Sequence, residues 1–472
     1  MPINHSVTVN EQATSVMTPV TAESGIPFVV GVAPVHTADN PVEAGVPTIC
    51  YSWEECLDKL GYSEDWDNFS LCEVMYSQFV LYGMSPVIFL NLLDPSTMTE
   101  AKTATVSVLN HKANLGSKAI NDSNLVVKNN TTTLAKDTDY TAYFTDGELI
   151  VELLSSGAAY SASSLNVTFN AVVVSGITAN AVATAMEKVE LCMSMFGLTP
   201  DLIAAPGFSG NATVAAVMAT KARSISGLFR AKAVIDVPCD ASTGATTYDA
   251  VLQKKNALAL TDENEIVCWP KVGLGDRVFH MSTHVLGCIA TTDDEYDAPY
   301  ASPSNHDIKI DRLCLDDGTT VLLSLQQANY LNGQGIVTGL NFMSSYKLWG
   351  NYTACYPENT DVKDYFIPVS RMFDWVANSI IRTFWSQLDK PMTRRFVDSI
   401  LDSVNIWMNG LTGSGYLLGG RVVMLESENP VTNLMAGIIK FHVYMTPPSP
   451  AQEIDFVLEY DVSYVQSALA AE

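Results

Sequence analysis

The chain has 472 residues, and its 26 Lys and Arg against 51 Asp and Glu give a formal net charge of −25. This charge excludes non-specific binding to nucleic acid, because a polyanion requires a cationic protein face. Hydrophobic residues make up 47% of the chain and charged residues only 16%, so the chain can bury a large core.

The first segment, residues 1–20, predicts an N-terminal arm. The first 24 residues contain no Lys or Arg and no apolar core of the signal-peptide type, so we expect the protein to stay in the cytoplasm. The apolar residues of 1–20 alternate only weakly, which lets this segment extend but not fold alone. The arm therefore needs a partner strand, and the valines expected to contact that strand are Val7, Val9 and Val16.

Residues 21–98 predict the first part of an α/β core. A continuous, β-branched apolar run over 26–33 is typical of a strand that is covered on both faces. Helical spacing over 72–81 and a second apolar run over 85–93 complete a β-α-β unit. The longest apolar stretch, 79–93, contains a proline and is shorter than the ~20 residues that span a bilayer, so no membrane partner is predicted.

The middle of the chain predicts two different units. Residues 99–175 are rich in Thr, Ser and Asn, and their short alternating runs between turn residues indicate a small all-β domain inserted into the core. Residues 176–365 return to helical periods that alternate with short apolar runs, for example at 202–205 and 266–269. That pattern predicts the second part of the core, a mostly parallel sheet covered by helices.

Residues 366–446 predict an α+β C-terminal domain, and residues 447–472 predict a C-terminal arm. Two amphipathic helices, about 369–387 and 391–408, precede two strands that are separated by a proline-rich connector. A lone two-stranded ribbon is marginal in water, so this ribbon needs another edge. The side chains expected to contact that edge are Phe441, Val443 and Met445 in the first strand and Phe456, Leu458 and Tyr460 in the second.

These unfinished ends predict a polymer. The N-terminal arm and the C-terminal ribbon can complete each other between molecules by β-augmentation, in which backbone hydrogen bonds give strength and alternate side chains give register. If the arm and the ribbon use different surfaces, the contact is heterologous and generates a ring or an open helix. The alternative, on pattern alone, is a sheet closed within one monomer.

The search for catalytic, cofactor or metal sites identifies none. His280 and His284 have the i, i+4 spacing of two metal ligands on one helix face, but Met281 stands where a metalloprotease needs Glu. Two structural histidines are therefore the better interpretation. No Gly-x-Ser-x-Gly nucleophile elbow occurs, and we expect Ser209 near a helix N-cap rather than acting as a nucleophile.

Three further patterns also favour structure over chemistry. The glycines of 333–339 have one residue too many for a dinucleotide fingerprint, which indicates a turn before a strand. The acidic residues at 293–297 are adjacent rather than alternating, which favours a solvated face over a calcium loop. The nine cysteines are odd in number and form no Cys-x-x-Cys pair, which predicts reduced, mostly buried thiols. We therefore predict no enzyme activity, no cofactor and no metal.

Several stretches together resemble the contractile tail sheath proteins of myophages and of phage-tail-like bacteriocins. The resemblance covers most of the chain outside the β insertion, and no single stretch carries it alone. The stretches are Tyr51-Ser52-Trp53 through Asp94-Pro95, Pro299-Tyr300-Ala301-Ser302-Pro303-Ser304-Asn305, Leu331-Asn332-Gly333-Gln334-Gly335-Ile336-Val337-Thr338, Leu348-Trp349-Gly350-Asn351, Arg371-Met372-Phe373-Asp374-Trp375 and Tyr444-Met445-Thr446-Pro447-Pro448-Ser449-Pro450.

The resemblance implies a structural subunit whose central domain is similar to subtilisin in topology but has no protease activity. Such subunits polymerise around an inner tube, interlock through their N- and C-terminal arms, and shorten to drive the tube through a target envelope. The implied partners are further copies of the chain, the inner tube protein, and baseplate and tail terminator proteins. Assembly is expected in the cytoplasm of the host bacterium, with the inserted domain facing outward.

A sheath must also hold its tube, and we hypothesise that residues 366–395 face it. This segment has five basic and two acidic residues, a net charge of 5 − 2 = +3 in a chain of −25. The alternative is that these charges serve solubility and helix-end dipoles. The basic residues are Arg371, Arg382, Lys390, Arg394 and Arg395.

Two other classes of protein stay open. A serine-hydrolase-like α/β enzyme fits the core but lacks the nucleophile elbow. An adhesin or surface-layer protein fits the Thr-rich β insertion, yet such a protein should carry a secretion signal.

Overall fold

The computed structural model describes residues 19–343 and 345–469. The first part of the core follows the predicted β-α-β pattern, with an additional strand and helix. Its first strand is buried at every position, as the continuous apolar run predicts. The elements are β1 (Pro27–Gly31), β2 (Pro47–Cys50), α1 (Trp53–Leu60), α2 (Ser70–Met75), which continues as a π-helical segment (Tyr76–Tyr82), and β3 (Val87–Asn91).

Seven strands follow in two antiparallel sheets, ordered β4-β10-β6-β7 and β5-β9-β8. Between them lies a hydrophobic cluster of their own, which includes Val127, Val151 and Val167. The strands are β4 (Thr99–Ser107), β5 (Lys112–Asn114), β6 (Val126–Asn129), β7 (Thr132–Thr133), β8 (Tyr140–Thr145), β9 (Glu148–Leu153) and β10 (Ser164–Val172).

The next segment alternates helices and strands. The helices are α3 (Ala179–Met186), α4 (Cys192–Phe196), α5 (Ala212–Arg223), α6 (Ala250–Ala257), α7 (Met281–Tyr296), α8 (Leu325–Asn332) and α9 (Val362–Tyr365). The strands are β11 (Leu202–Ala204), β12 (Lys232–Asp236), β13 (Glu265–Cys268), β14 (Lys271–Leu274), β15 (Arg277–Phe279), β16 (Arg312–Cys314), β17 (Thr320–Val321), β18 (Ile336–Asn341) and β19 (Tyr346–Trp349).

The central sheet has eight strands in the order β19-β18-β13-β12-β11-β1-β3-β2. Its six inner strands are parallel, and only the edge strands β2 and β19 run antiparallel to their neighbours. A second, antiparallel sheet of order β15-β14-β16-β17 lies outside this run. The parallel strands are buried almost throughout, as expected when helices cover both faces. The predicted mixed α/β fold is therefore confirmed.

The C-terminal part contains the two predicted amphipathic helices, which pack together around Met372, Trp375, Val404 and Met408. The Thr393 side chain caps the second helix by accepting from the Phe396 N–H. The elements are α10 (Ile367–Phe384), α11 (Arg394–Gly413), β20 (Gly419–Val423), α12 (Val431–Met435), β21 (His442–Thr446) and α13 (Val462–Leu469). None of the helices within 19–343 and 345–469 combines the length and apolar character needed to cross a membrane.

Candidate assembly site

The predicted C-terminal ribbon is a different pair of strands from the one expected. β21 pairs antiparallel with β20, in a register that places Val443 opposite Val422 and Tyr444 opposite Arg421. The segment 447–461, where the second strand was expected, forms no strand or helix. An alternating sequence permits a strand, but the strand forms only when another backbone supplies its hydrogen bonds, and this segment has no such neighbour among the described residues.

The residues predicted in the first strand therefore contact their own chain. Phe441, Val443 and Met445 pack against the cluster formed by helices α10 and α11, on the same face as the buried Val422. Their side chains are already half-buried against their own subunit, and the expectation that a neighbouring subunit also contacts them stays a prediction. These side chains do not cover the N–H and C=O groups along the outer edge of β21.

The residues predicted in the second strand are exposed. Phe456 is 81% exposed and Leu458 95% exposed, and Ile454 and Tyr460 on the same alternate positions are also exposed. Burying one such side chain is worth about 1.5–3 kcal/mol, so a run of four leaves a large stabilisation unrealised within the single chain. A row of exposed apolar side chains at alternate positions makes this segment a candidate interaction surface.

The segment that leads to this run is anchored to the core. Residues 448–452 cross a groove of about 700 Å³ that the ends of β19 and the following loop help to line. There the Tyr352 hydroxyl donates a 2.6 Å hydrogen bond to the Gln452 side-chain carbonyl. The exposed run therefore starts from a fixed point on the subunit surface.

The first described residues of the chain are held against helix α10 by hydrogen bonds. The Val20 N–H donates to Thr383 Oγ1 at 2.9 Å, and the Ala22 N–H donates to Ser379 Oγ at 2.7 Å. The Trp375 indole N–H in turn donates to the Ala22 carbonyl at 2.7 Å. The predicted contact residues Val7, Val9 and Val16 lie outside the described residues.

The basic residues predicted to face a tube separate into two groups. Arg371 is buried, and its guanidinium donates to Asp293 at 2.5 and 2.8 Å and to Asp201 at 2.7 Å. Although burial opposes its charge, the two carboxylates raise the pKa of Arg371. This residue joins α10 to the core and has no free surface. Its partner Asp293 also corrects the expected solvated face of 293–297, since this one carboxylate is buried.

The other basic residues lie around the turn between α10 and α11. Lys390, Arg394 and Arg395 are exposed, and Arg382 is half-buried. Sequence reasoning missed two apolar side chains in the same turn, Trp385 (59% exposed) and Leu388 (60% exposed). Their position in a polar, helix-ending segment was the available signal, because core residues seldom occur there.

The histidines that suggested a metal do not share a site. His280 precedes α7, and its Nδ1 lies 2.9 Å from the carboxylate of the buried Glu73. His284 lies inside α7 with its Nδ1 2.9 Å from the Tyr82 hydroxyl, and burial lowers its pKa to about 3. Across 19–343 and 345–469, no group of three or more His, Cys, Asp or Glu is arranged to hold a metal ion.

The remaining motifs are structural in their contacts. Ser209 is buried and bonds to the side chain and backbone of Asp236, while Asn211 rather than Ser209 caps α5. Gly335, in the glycine-rich turn before β18, has φ +65°, and a Cβ there would lie 2.5 Å from the Thr353 carbonyl. All nine cysteines are free and buried, as the sequence predicts.

Comparison with known proteins shows what this chain is similar to. The sequence matches no protein-family model. It is 24% identical to the tail sheath protein of Burkholderia phage BcepMu, over 98% of this chain and 97% of that protein.

Solved structures agree with this relative. The fold matches the sheath complex of the PVC extracellular contractile injection system in its contracted state, with a TM-score of 0.60 and 13% identity over 98% of this chain and 99% of that one. It also matches the contracted helical sheath of the anti-feeding prophage, with a TM-score of 0.58 and 15% identity over 98% of this chain and 100% of that one. The resemblance seen in the sequence is confirmed: over nearly its whole length, the chain is similar to contractile tail sheath proteins of phages and phage-tail-like systems.

Proposed function

We propose that this chain polymerises helically around an inner tube by exchanging β-strands with its neighbours, and that the polymer contracts to drive the tube through a target cell envelope. One observation carries the proposal. The alternating run 454–460 is exposed and has no partner strand among the described residues. Strands β20 and β21 of the same chain form an antiparallel sheet of only two strands, the β20–β21 hairpin, whose connection contains α12. The run needs a partner strand, and the two-stranded sheet has an edge to which a strand can be added, so each can supply what the other needs.

The geometry of this exchange favours a helix. The exposed run and the hairpin are different surfaces of one subunit, so every contact between copies is heterologous. A heterologous contact that does not close a ring continues as a filament, which suits a sheath wound around a tube. The other proposed partners are the baseplate and tail terminator proteins at the two ends, with assembly in the cytoplasm of the host bacterium.

Contraction requires subunit cores to reorient while the chain-to-chain links persist. The connector between β21 and the exposed run contains Pro447, Pro448 and Pro450, which stiffen it and carry no N–H that a sheet would need. Such a link can hold two subunits together through a rigid-body rotation of their cores. The work is stored at assembly as a higher-energy arrangement, so the proposal includes no nucleotide and no enzyme activity.

The proposed division into units follows the separate hydrophobic clusters. The central cluster supports a subtilisin-like core from 21–98 and 176–365, and the cluster within 113–171 supports an inserted domain at 99–175. The cluster of α10, α11 and β20 supports a C-terminal domain at 366–446. The described parts of the two arms, residues 19–20 and 447–469, belong to none of these clusters.

We further propose that the turn between α10 and α11 faces the tube. Arg382, Lys390, Arg394 and Arg395 supply positive charge, and Trp385 supplies an exposed aromatic of the type that dominates interfaces. Arg371 does not belong to this set, because its guanidinium is buried and paired.

Removal of the exposed run tests the proposal. A chain ending at Gln452, or a full chain with Phe456→Asp, should fold as well as the unchanged protein but form no long cylinders in electron micrographs. Leu109→Asp, at an exposed apolar position of the inserted sheets, is the matched control and should leave cylinders intact. Cylinders of normal length from the shortened chain would refute strand exchange. Asp at Phe441 or Val443 is unsuitable, because those side chains pack inside the subunit.

A further inference from the structure

One of the two edges of the hairpin β20–β21 is occupied by a side chain. Asn405 on helix α11 donates from Nδ2 to the Val422 carbonyl at 3.1 Å, and its Oδ1 accepts from the Val422 N–H at 2.9 Å. A single amide thus pairs with both backbone groups in the middle of β20, as an added strand would. Free edge strands are sites of further pairing, and a side chain that takes their hydrogen bonds protects them.

The opposite edge has no such protection. Val422 turns both of its backbone groups toward Asn405, so Val422 and the opposing Val443 form a pair without hydrogen bonds between them. In an antiparallel pair, the N–H and C=O of Val443 then point away from β20, toward the outer edge of β21. No described residue bonds to them there. Among the described residues, the hairpin edge is therefore closed at Val422 of β20 and open at Val443 of β21.

The faces of the hairpin and of the exposed run are complementary in charge. Tyr444 and Arg421 lie on the outer face, with the guanidinium 4.6 Å from the ring centroid, and the alternation of β21 places His442 on that face too. Lys440, just before β21, lies near His442, since both contact the carboxylate of Glu428, at 3.2 and 3.3 Å. In the segment 453–461, which contains the exposed run, the odd positions are acidic at all but Val457, and the even positions are all apolar. The acidic residues are Glu453, Asp455, Glu459 and Asp461.

This complementarity fixes the parity of the pairing. If the run is added to β21 with its apolar residues on the side of helix α11, its acidic residues lie beside Lys440, His442 and Arg421. A slip by one residue would place four carboxylates over the apolar cluster and four apolar side chains in water, because successive side chains in a strand point to opposite faces.

We propose that Asn405 closes the β20 edge, so that the segment 453–461 of a neighbouring subunit adds only to β21, with its acidic face beside Lys440, His442 and Arg421. This inference rests on the strand exchange proposed above and names its acceptor edge. Asn405 acts here as a specificity-determining residue because it occupies the backbone groups of Val422. It contacts neither the incoming strand nor the open edge.

Disulfide trapping in assembled cylinders tests the choice of edge. One tagged chain carries Tyr444→Cys or Arg421→Cys, and a second carries Asp455→Cys, Val457→Cys or Glu459→Cys, so that any cross-link joins different molecules. Neighbouring strands lie about 4.8 Å apart, which leaves β20 about 10 Å from a strand added to β21. A disulfide requires Cβ atoms about 3.5–4.5 Å apart. All native cysteines are buried, so background cross-linking should be low.

We expect Tyr444→Cys to form a covalent dimer with at least one of the three cysteine variants of the exposed segment. Arg421→Cys, at the position directly opposite Tyr444 in the sheet, should give at least tenfold less covalent dimer. In Asn405→Ala cylinders, the Arg421→Cys cross-link should appear, while Asp402→Ala on the same helix should not produce it. Equal or stronger cross-linking from Arg421→Cys in the unaltered background would overturn the edge assignment, as would intact cylinders with no cross-link from Tyr444→Cys. Failure of the unaltered chain to form cylinders at all would instead refute the proposed function.

Discussion

Replacing Arg371 with Met should strongly destabilise the joint between helix α10 and the core. Arg371 and Asp293 each have a side chain only 3% exposed, and their charged groups approach to 2.5 Å. Removing one partner of a buried ion pair leaves the other charge uncompensated, which costs about 3–5 kcal/mol. That is a large share of a total stability of about 5–15 kcal/mol.

The loss should depend on pH with a defined sign. Burial raises the pKa of Asp293 even against the opposing effect of the Arg371 charge, and without that charge the pKa rises further. A carboxyl with a folded pKa above its unfolded value binds more protons when folded, so its contribution favours folding below the unfolded pKa and weakens as pH rises through the folded value. The Arg371→Met variant should therefore lose more stability near pH 8 than near pH 5.

Denaturant unfolding of the full chain at both pH values measures this loss. The double variant Arg371→Met with Asp293→Leu should recover part of it, because it also removes the fully buried carboxylate. The other partner of Arg371, Asp201, keeps its charge but is more exposed than Asp293. Arg394→Met is the control, since Arg394 pairs with Asp398 at 2.9 Å on the exposed surface of α11 and such pairs contribute only about 0.3–0.5 kcal/mol. A double variant as unstable as the single one would refute the coupling of Arg371 to Asp293.

Two further predictions concern other charged groups. Burial lowers the pKa of His280, but the Glu73 carboxylate more than offsets this effect, so the pKa is raised overall. The stabilisation by this pair is therefore complete below the unfolded pKa of His280 and is lost as pH rises through the folded pKa. Glu73→Gln should accordingly lower the unfolding midpoint more near pH 5 than near pH 9, and an equal loss at both would contradict the assignment. Arg394→Glu with Arg395→Glu should reduce co-sedimentation with the tube protein at low salt, whereas Lys128→Glu on the inserted sheets should not; unchanged co-sedimentation of the double variant would remove this turn from the tube interface.

The elements that the sequence predicts well are those completed inside the chain. The run 26–33 and the helix periods of 369–387 and 391–408 bury their apolar faces against other parts of the same molecule, so local pattern and final structure agree. The run 454–460 has an equally clear pattern, yet forms no strand in the single chain. Periodicity reports which face a strand would bury, but the hydrogen bonds of a strand come from elsewhere.

The errors at the candidate site have a different cause. Arg371 was placed on a surface because it belongs to a basic segment, but its carboxylate partners Asp293 and Asp201 lie 78 and 170 residues away in the chain. Only the fold brings them together. Asn405 gave no signal at all, since an Asn in an amphipathic helix does not reveal that its amide pairs with a strand backbone.

The open edge of β21 and the buried contacts of Arg371 between α10 and the core have different roles in the proposed contraction, in which the sheath shortens while its subunits stay linked. A rotating core transmits force to the tube only if α10, which leads to the proposed tube-facing turn, moves with it. The buried contacts of Arg371 and the 2.9 Å ion pair between Lys232 of β12 and Asp374 of α10 supply that rigidity. In the proposed assembly, the links between subunits must persist while the cores reorient, and the proline-rich connector before the exposed run is a semi-rigid spacer that separates the exchanged strand from its own core. If both edges of the hairpin were open, a reorienting neighbour could re-pair on the wrong side. Closing one edge with Asn405 would keep the link unique while the geometry around it changes.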